Sequence, residues 1–274
     1  MSEHDAPTSL PELGFGTYRL NGAEGADAVT RAIDAGYRLI DSAFNYENEG
    51  AVGRAVRTAD VDRDAVIFTS KLPGRHHAYD EAIRTIEESV YRSGLDRIDL
   101  YLIHWPNPRV GKYVDAWRAL IEARARGLVG AIGVSNFLPE HLERIETETG
   151  ERPLVNQIEL HPYFPQTDAL AYHCERGILT EAWSPLGRGN DLLLNPVIVS
   201  IADAHDATPG QTVLAWHRAV GSIPIPKAAS GERQRENLES LGLELSDDEV
   251  AAITALGRPD GRTHGQDPAT YEEF

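Results

Sequence analysis

Short apolar, β-rich runs alternate with longer helix-patterned stretches along the whole 274-residue chain. The composition and spacing predict strands over 13–18, 37–41, 65–71, 98–104, 129–135, 154–159, 178–183 and 222–226. Helical patterns cover 23–35, 79–93, 113–126, 139–149, 166–176, 210–220, 232–241 and 247–256. Several stop at a glycine, as at Gly36, Gly94, Gly127, Gly150 and Gly177, where a helix C-terminus favours it. Ser246-Asp-Asp-Glu249 is a capping box that opens the last helix. Runs such as Ile98-Asp-Leu-Tyr-Leu-Ile103 are mostly apolar rather than alternating, as in strands covered on both faces. Eight strands in strict β-then-α order, with no linker or composition break, predict one α/β domain over 1–274, a (β/α)8 TIM barrel. A doubly wound dinucleotide fold fits poorly. Gly14-Phe-Gly16 and Gly187-Arg-Gly189 both lack the third glycine of its fingerprint.

Composition narrows the functional classes. The formal net charge is −17, which disfavours a nucleic-acid partner, because phosphate contacts need a basic face. No apolar run reaches the roughly 20 residues of a membrane span, and the first residues carry no secretory pattern. Cys174 stands alone, so no internal disulfide forms. Lysine occurs only at 71, 112 and 227; the other cations are arginine. An acidic, lysine-poor surface reads as that of a halophilic cytoplasmic protein, and arginine-rich codon usage is the plainer alternative.

In a barrel of this kind the active site lies at the C-terminal strand ends. The second strand ends in Asp41, with Tyr46 just beyond; the third ends in Lys71 and the fourth in His104. Singly, each has an ordinary explanation: a turn cap, a half-buried phenol, a surface charge, a core imidazole. Together they deliver a carboxylate, a phenol, an amine and an imidazole to one rim. A nearby ammonium favours a phenolate and draws tyrosine toward the working pH range. Asp41 would hold the ammonium, and His104 would orient a substrate oxygen. That is an arrangement for reducing a carbonyl with hydride from a cofactor.

Later strand ends add Ser135, Asn136 and Gln157, suited to fixing a carboxamide, and Trp183, a flat face for stacking. After the eighth strand, Lys227 and Arg233 lie across a loop and helix start, a frequent phosphate site in barrels, with Glu232 and Glu236 close enough for ordinary salt bridges instead.

Gly14-Phe-Gly-Thr-Tyr18, Asp41-Ser-Ala, Tyr46-Glu-Asn-Glu49, Lys71, His104-Trp-Pro106, the 132–137 run, Gln157-Ile-Glu-Leu-His-Pro162, the 183–187 run, the 225–237 run and Asp260-Gly-Arg with Asp267-Pro268 share one pattern. From Leu13 onward the chain resembles the aldo-keto reductases, of the short-tailed prokaryotic type that includes 2,5-diketogluconate reductases. The resemblance implies an NADPH-dependent reductase of a small carbonyl substrate, with NADH a weaker alternative and no metal; the oligomeric state is not legible in the sequence, and a monomer fits it. It implies Tyr46 as proton donor, with Asp41, Lys71 and His104 around it. It places Ser135, Asn136, Gln157 and Trp183 at the nicotinamide, and Thr17, Ser184, Leu186 and Gly187 along the cofactor. It assigns Lys227, Ser230 and Arg233 to the 2′-phosphate, Glu236 and Asn237 to the adenine, and Tyr18, Phe44 and Trp105 to the substrate mouth.

Three features depart from that pattern. Ala228 stands where a serine usually follows the phosphate-binding lysine, Trp183 replaces the usual tyrosine, and the segment before Leu13 is short for the expected N-terminal hairpin. Two other readings compete. One is a non-enzymatic cofactor sensor on the same scaffold. The other is a metal-dependent hydrolase using Glu159, His161 and His104.

Overall fold

A computed structural model describes residues 9–274. Its one parallel sheet follows chain order: β1 (Phe15–Gly16), β2 (Leu39–Asp41), β3 (Ile67–Leu72), β4 (Ile98–Ile103), β5 (Val129–Ser135), β6 (Val155–Glu159), β7 (Leu179–Trp183) and β8 (Ser222–Pro224). The helices are α1 (Gly22–Ala35), α2 (Glu49–Thr58), α3 (Tyr79–Ser93), α4 (Tyr113–Ala125), α5 (Pro139–Thr149), α6 (Thr167–Arg176), α7 (Pro196–Ala204), α8 (Pro209–Ala219), α9 (Gly231–Glu239) and α10 (Asp247–Thr254). None among the described residues is long and apolar enough to cross a membrane. The expected (β/α)8 barrel is the observed fold.

The ring closes between β1 and β8. Gly14 N–H donates to the Pro224 carbonyl at 2.9 Å and Gly16 N–H to the Pro226 carbonyl at 3.0 Å, while Ile225 N–H turns to Ala182 of β7 at 3.0 Å. The two prolines therefore put their missing donors at the seam, where only their carbonyls are used. This one-sided pairing is why β1 and β8 are shorter than the expected 13–18 and 222–226. A Cβ at Gly14 would overlap the Ile225 side chain, so this glycine serves barrel closure rather than phosphate binding.

Strand β4 shows how the core divides. Leu100 and Leu102 cluster with Ala131 and Val155, whereas Tyr101 and Ile103 join helix residues such as Ile86 and Leu120. Successive side chains thus point alternately into the barrel and out to the helices. Leu10 packs on the first cluster. Residues 9–12 form no strand, and any hairpin further upstream would fall on 1–8, outside the described residues.

Two helices escape the sequence pattern. Helix α2 carries two glycines in ten residues, which weakens its helical signal. Helix α7 contains Val197, Ile198, Val199 and Ile201, which reads as a strand. It starts because Asn195 caps the Val197 N–H and Pro196 fills the first turn. It lies directly before α8, so the β-then-α order is not strict.

Gly53 lies where α2 crosses the end of α3, and a Cβ there would overlap the Ser93 backbone. Gly53→Ala is expected to lower Tm by several degrees, since overpacking costs about 1–3 kcal/mol. A Cβ at Gly242 meets open space, so Gly242→Ala should leave Tm unchanged. Equal melting by scanning fluorimetry would show that this helix crossing is not a tight constraint.

Candidate active site

Strand register builds the site. Asp41 pairs with Thr69, which places Lys71, two residues further on, on the same interior face. Lys71 is fully buried, and its ammonium donates to Asp41 Oδ1 and Oδ2 at 2.6 and 2.7 Å and to the Ser42 carbonyl at 2.7 Å. Burial alone would strip its proton, but Asp41, Tyr46 and Glu181 more than restore it, and its pKa is raised.

Tyr46 sits on a short 3-10 turn, Phe44–Tyr46, with its ring centroid 5.2 Å from the Lys71 nitrogen and 6.0 Å from the His104 ring. Asn48 holds this loop down. Its amide donates to the Thr17 and Leu20 carbonyls at 2.7 and 3.0 Å, and it accepts from Ser42 Oγ at 2.6 Å. Thr17 is itself buried, its hydroxyl bound to the Asp41 carbonyl at 2.8 Å. Burial pushes the Tyr46 hydroxyl above its ordinary pKa; Lys71 pulls it down, and Asp41 and Glu273 push it up. The net direction corrects the expectation drawn from the sequence. Burial outweighs Lys71, whose ammonium is bonded to Asp41 and the Ser42 carbonyl rather than to the phenol.

Strands β5, β6 and β7 supply the opposite wall. Ser135 pairs with Gln157, and Gln157 with Glu181, so the three lie in one row. Gln157 Nε2 donates to Asp41 Oδ1 at 2.8 Å and to Glu181 Oε2 at 2.7 Å, which leaves the side-chain Oε1 without a partner among the described residues. Asn136, at φ 62°, donates to the His104 carbonyl and Ser135 Oγ, both at 3.0 Å, and accepts from the Trp183 indole N–H at 2.8 Å. The tryptophan that departs from the family pattern thus uses its N–H to fix Asn136.

A cleft of about 680 Å³ opens over these strand ends. Of the expected residues, Tyr18, Asp41, Tyr46, His104, Trp105, Ser135, Asn136, Gln157, Trp183, Ser184, Leu186 and Lys227 line it. Thr17, Lys71 and Gly187 lie buried behind it, and Phe44 is covered by the Arg92 guanidinium, 4.1 Å from its ring centroid. Ser230 caps α9, and Arg233 and Lys227 are exposed with no ion pair among the described residues. The salt bridges open to Glu232 and Glu236 do not form; Glu236 instead accepts from Thr208 Oγ1 at 2.7 Å. Asn237 is buried beside Tyr37. Glu159 and His161 turn away from the cleft, with Glu159 Oε1 accepting from the Thr263 N–H at 2.5 Å.

The sequence reading missed Glu181, Asn45, Arg188, Tyr271 and Glu273. Arg188 stacks over Tyr18, 5.4 Å from its centroid, and Tyr271 over Trp105 at 4.4 Å. Glu181 was within reach, two positions before Trp183 on an interior-facing strand. The others come from loops whose partners lie far along the chain.

Burial and the Asp41 charge raise Glu181 to about 7, against the help of Gln157 and Lys71. An acid raised on folding costs stability once the unfolded chain ionises, and the cost grows from pH 4.5 up to about 7. Glu181→Gln should therefore gain more Tm over wild type at pH 8 than at pH 5, on the order of 2–3 kcal/mol at the higher pH. The same gain at both pH values would place the Glu181 titration elsewhere.

Residues 12–258 match the Aldo/keto reductase family. The chain is 54% identical over 263 residues to 2,5-diketo-D-gluconic acid reductase B of Corynebacterium sp., covering 96% of this chain and 94% of the relative. It is 41% identical to methylglyoxal reductase DkgA of Yersinia pestis, with 96% and 94% covered. Among solved structures, a variant of Gox0644 in complex with NADPH superposes with a TM-score of 0.90 at 42% identity, over 96% of this chain and 95% of the other. Bombyx mori aldo-keto reductase in complex with NADP gives 0.88 at 32% identity, over 98% of each chain. The match spans both the barrel and the strand ends that build the cleft, and the chain belongs to the aldo/keto reductase family.

Proposed function

We propose that this protein reduces small aldehydes or ketones to alcohols, with NADPH preferred over NADH and Tyr46 as proton donor. The observation that carries the reading is the buried Lys71–Asp41 pair set behind the Tyr46 ring, beside His104, at the floor of one cleft. The printed names of the relatives, a diketogluconic acid reductase and a methylglyoxal reductase, agree with a carbonyl substrate.

The residues present fit the cofactor. Gln157 Oε1 has no partner among the described residues and can accept from a carboxamide N–H, since Nε2 of the same side chain is spent on Asp41 and Glu181. The half-buried Trp183 offers a fixed ring face. Lys227 and Arg233, with no ion pair among the described residues, lie next to the Ser230-capped start of α9, where an anion is favoured. NADPH, when bound, supplies the hydride. Tyr46 supplies the proton from its neutral hydroxyl, and the fixed ammonium behind it stabilises the phenolate left behind. His104 places the carbonyl oxygen. Thr17, Ser184, Leu186 and Gly187 fit the run of the cofactor, and Tyr18 and Trp105 the substrate mouth. The half-buried Glu236 and the buried Asn237 stand next to the phosphate site, where the adenine would lie.

Tyr46→Phe should cut carbonyl reduction by roughly 10²–10⁴-fold while NADPH binding is kept. A near-wild-type kcat on several aldehydes would remove Tyr46 from the role; a wild type with no turnover on any of them would favour a non-enzymatic cofactor sensor.

The cofactor preference can be tested against salt. At about 1 M salt the Debye length is roughly 3 Å, so the repulsion between NADPH and a chain of formal charge −17 is screened, while contact pairs persist. The acidic, lysine-poor surface supports a cytoplasmic protein that works in such salt. The double variant Lys227→Met, Arg233→Ala is expected to raise KM strongly for NADPH and little for NADH in molar KCl. Equal weakening of both, or a wild type that favours NADH, would make Ala228 the deciding residue instead.

A further inference from the structure

The segment after α10 returns to the reaction centre and plants a carboxylate there. Glu273 Oε2 accepts from the Gly74 N–H at 2.9 Å, and Oε1 accepts from Asn45 Nδ2 at 2.9 Å. The Arg75 guanidinium donates to Asn45 Oδ1 at 2.5 Å, which fixes the end of the amide that faces Glu273. Glu273 Oε1 also lies 2.8 Å from His104 Nδ1, a contact that lacks the alignment of a hydrogen bond. That buried nitrogen has no other polar partner among the described residues.

The seat for this residue is built from both of its sides. Asn107, held at φ 45°, donates to the Glu273 carbonyl at 2.8 Å and accepts from its N–H at 3.0 Å. A side chain at Gly74 would overlap both Asn107 and the Glu273 carbonyl, so the seat exists only because residue 74 has none. The Tyr271 ring on Trp105 closes the approach.

We propose that Glu273 is a positioning residue of the reaction centre, acting through His104. A carboxylate cannot donate a proton, so it orients the imidazole with Nδ1 toward the seat and leaves Nε2 as the nitrogen that meets the carbonyl oxygen. Burial opposes its charge, but His104, the Gly74 N–H and Asn45 hold it down at about 2, so the carboxylate is ionised throughout the working range. The inference rests on the carbonyl-reductase reading, which supplies the assay.

Glu273→Gln removes the charge and nearly keeps the shape, but its amide retains one acceptor oxygen where the carboxylate offers one each to the Gly74 N–H and Asn45. It should lower kcat for aldehyde reduction about tenfold or more, with KM for NADPH within about twofold and Tm lowered by no more than a few degrees, measured where the variant is fully folded. A chain ending at Glu272 vacates the seat. Sodium formate should restore part of its kcat, saturably and beyond any effect of equal sodium chloride, by filling the same seat between the Gly74 N–H, the Asn45 amide and His104. Wild-type kcat in Glu273→Gln, a faster variant, activity lost only in step with Tm, or no rescue by formate would each overturn the proposal. A wild type that reduces no aldehyde would instead overturn the reading beneath it.

Discussion

A buried ammonium with its three donors placed on three oxygens is the interaction around which this protein is arranged. Lys71 has no solvent exposure, and an unpaired ammonium in such a place costs several kcal/mol. Asp41 and the Ser42 carbonyl remove that cost only if β2 and β3 keep their register, with Asp41 opposite Thr69. The loop after β2 must then turn where it does, which puts Tyr46 over the ammonium. Asn48 and Thr17 are the buried polar contacts that hold the turn.

The charge balance extends below the site. Asp41, Lys71 and Glu181 share the barrel interior, and one amide, that of Gln157, is shared between the two acids. Burial, and after it the Asp41 charge, make a second full negative charge costly there, and they raise Glu181 to about 7. The same amide thereby has its carbonyl turned free. Electrostatic relief in the core and presentation of an acceptor at the cleft are one event.

Much of this was legible in the chain itself. Asp41, Lys71 and His104 stand at the ends of three successive strands, and a parallel barrel sends all strand ends to one rim. The row Ser135, Gln157 and Glu181 follows from the two-residue period of adjacent strands, yet only its first two members were picked out, because a lone glutamate carries no motif. Helix α7 was hidden by β-branched residues whose fate is decided by the Asn195 cap and by packing.

By itself, the sequence determined the barrel, its helix stops and the order of chemical groups around the rim, because these depend on local periodicity and on neighbours in adjacent strands. Only the tertiary structure decided the rest. Pro224 and Pro226 set the seam because their carbonyls meet Gly14 and Gly16 from the other end of the chain. Trp183 could take the place of tyrosine because Asn136 lies within reach of its N–H. Glu273 reaches His104 because Gly74 leaves room for it and Asn107 holds its backbone, and no pattern of spacing predicts that Gly74 and Glu273, 199 positions apart, meet. Such contacts depend on where loops come to rest, which packing fixes only after the strands have closed.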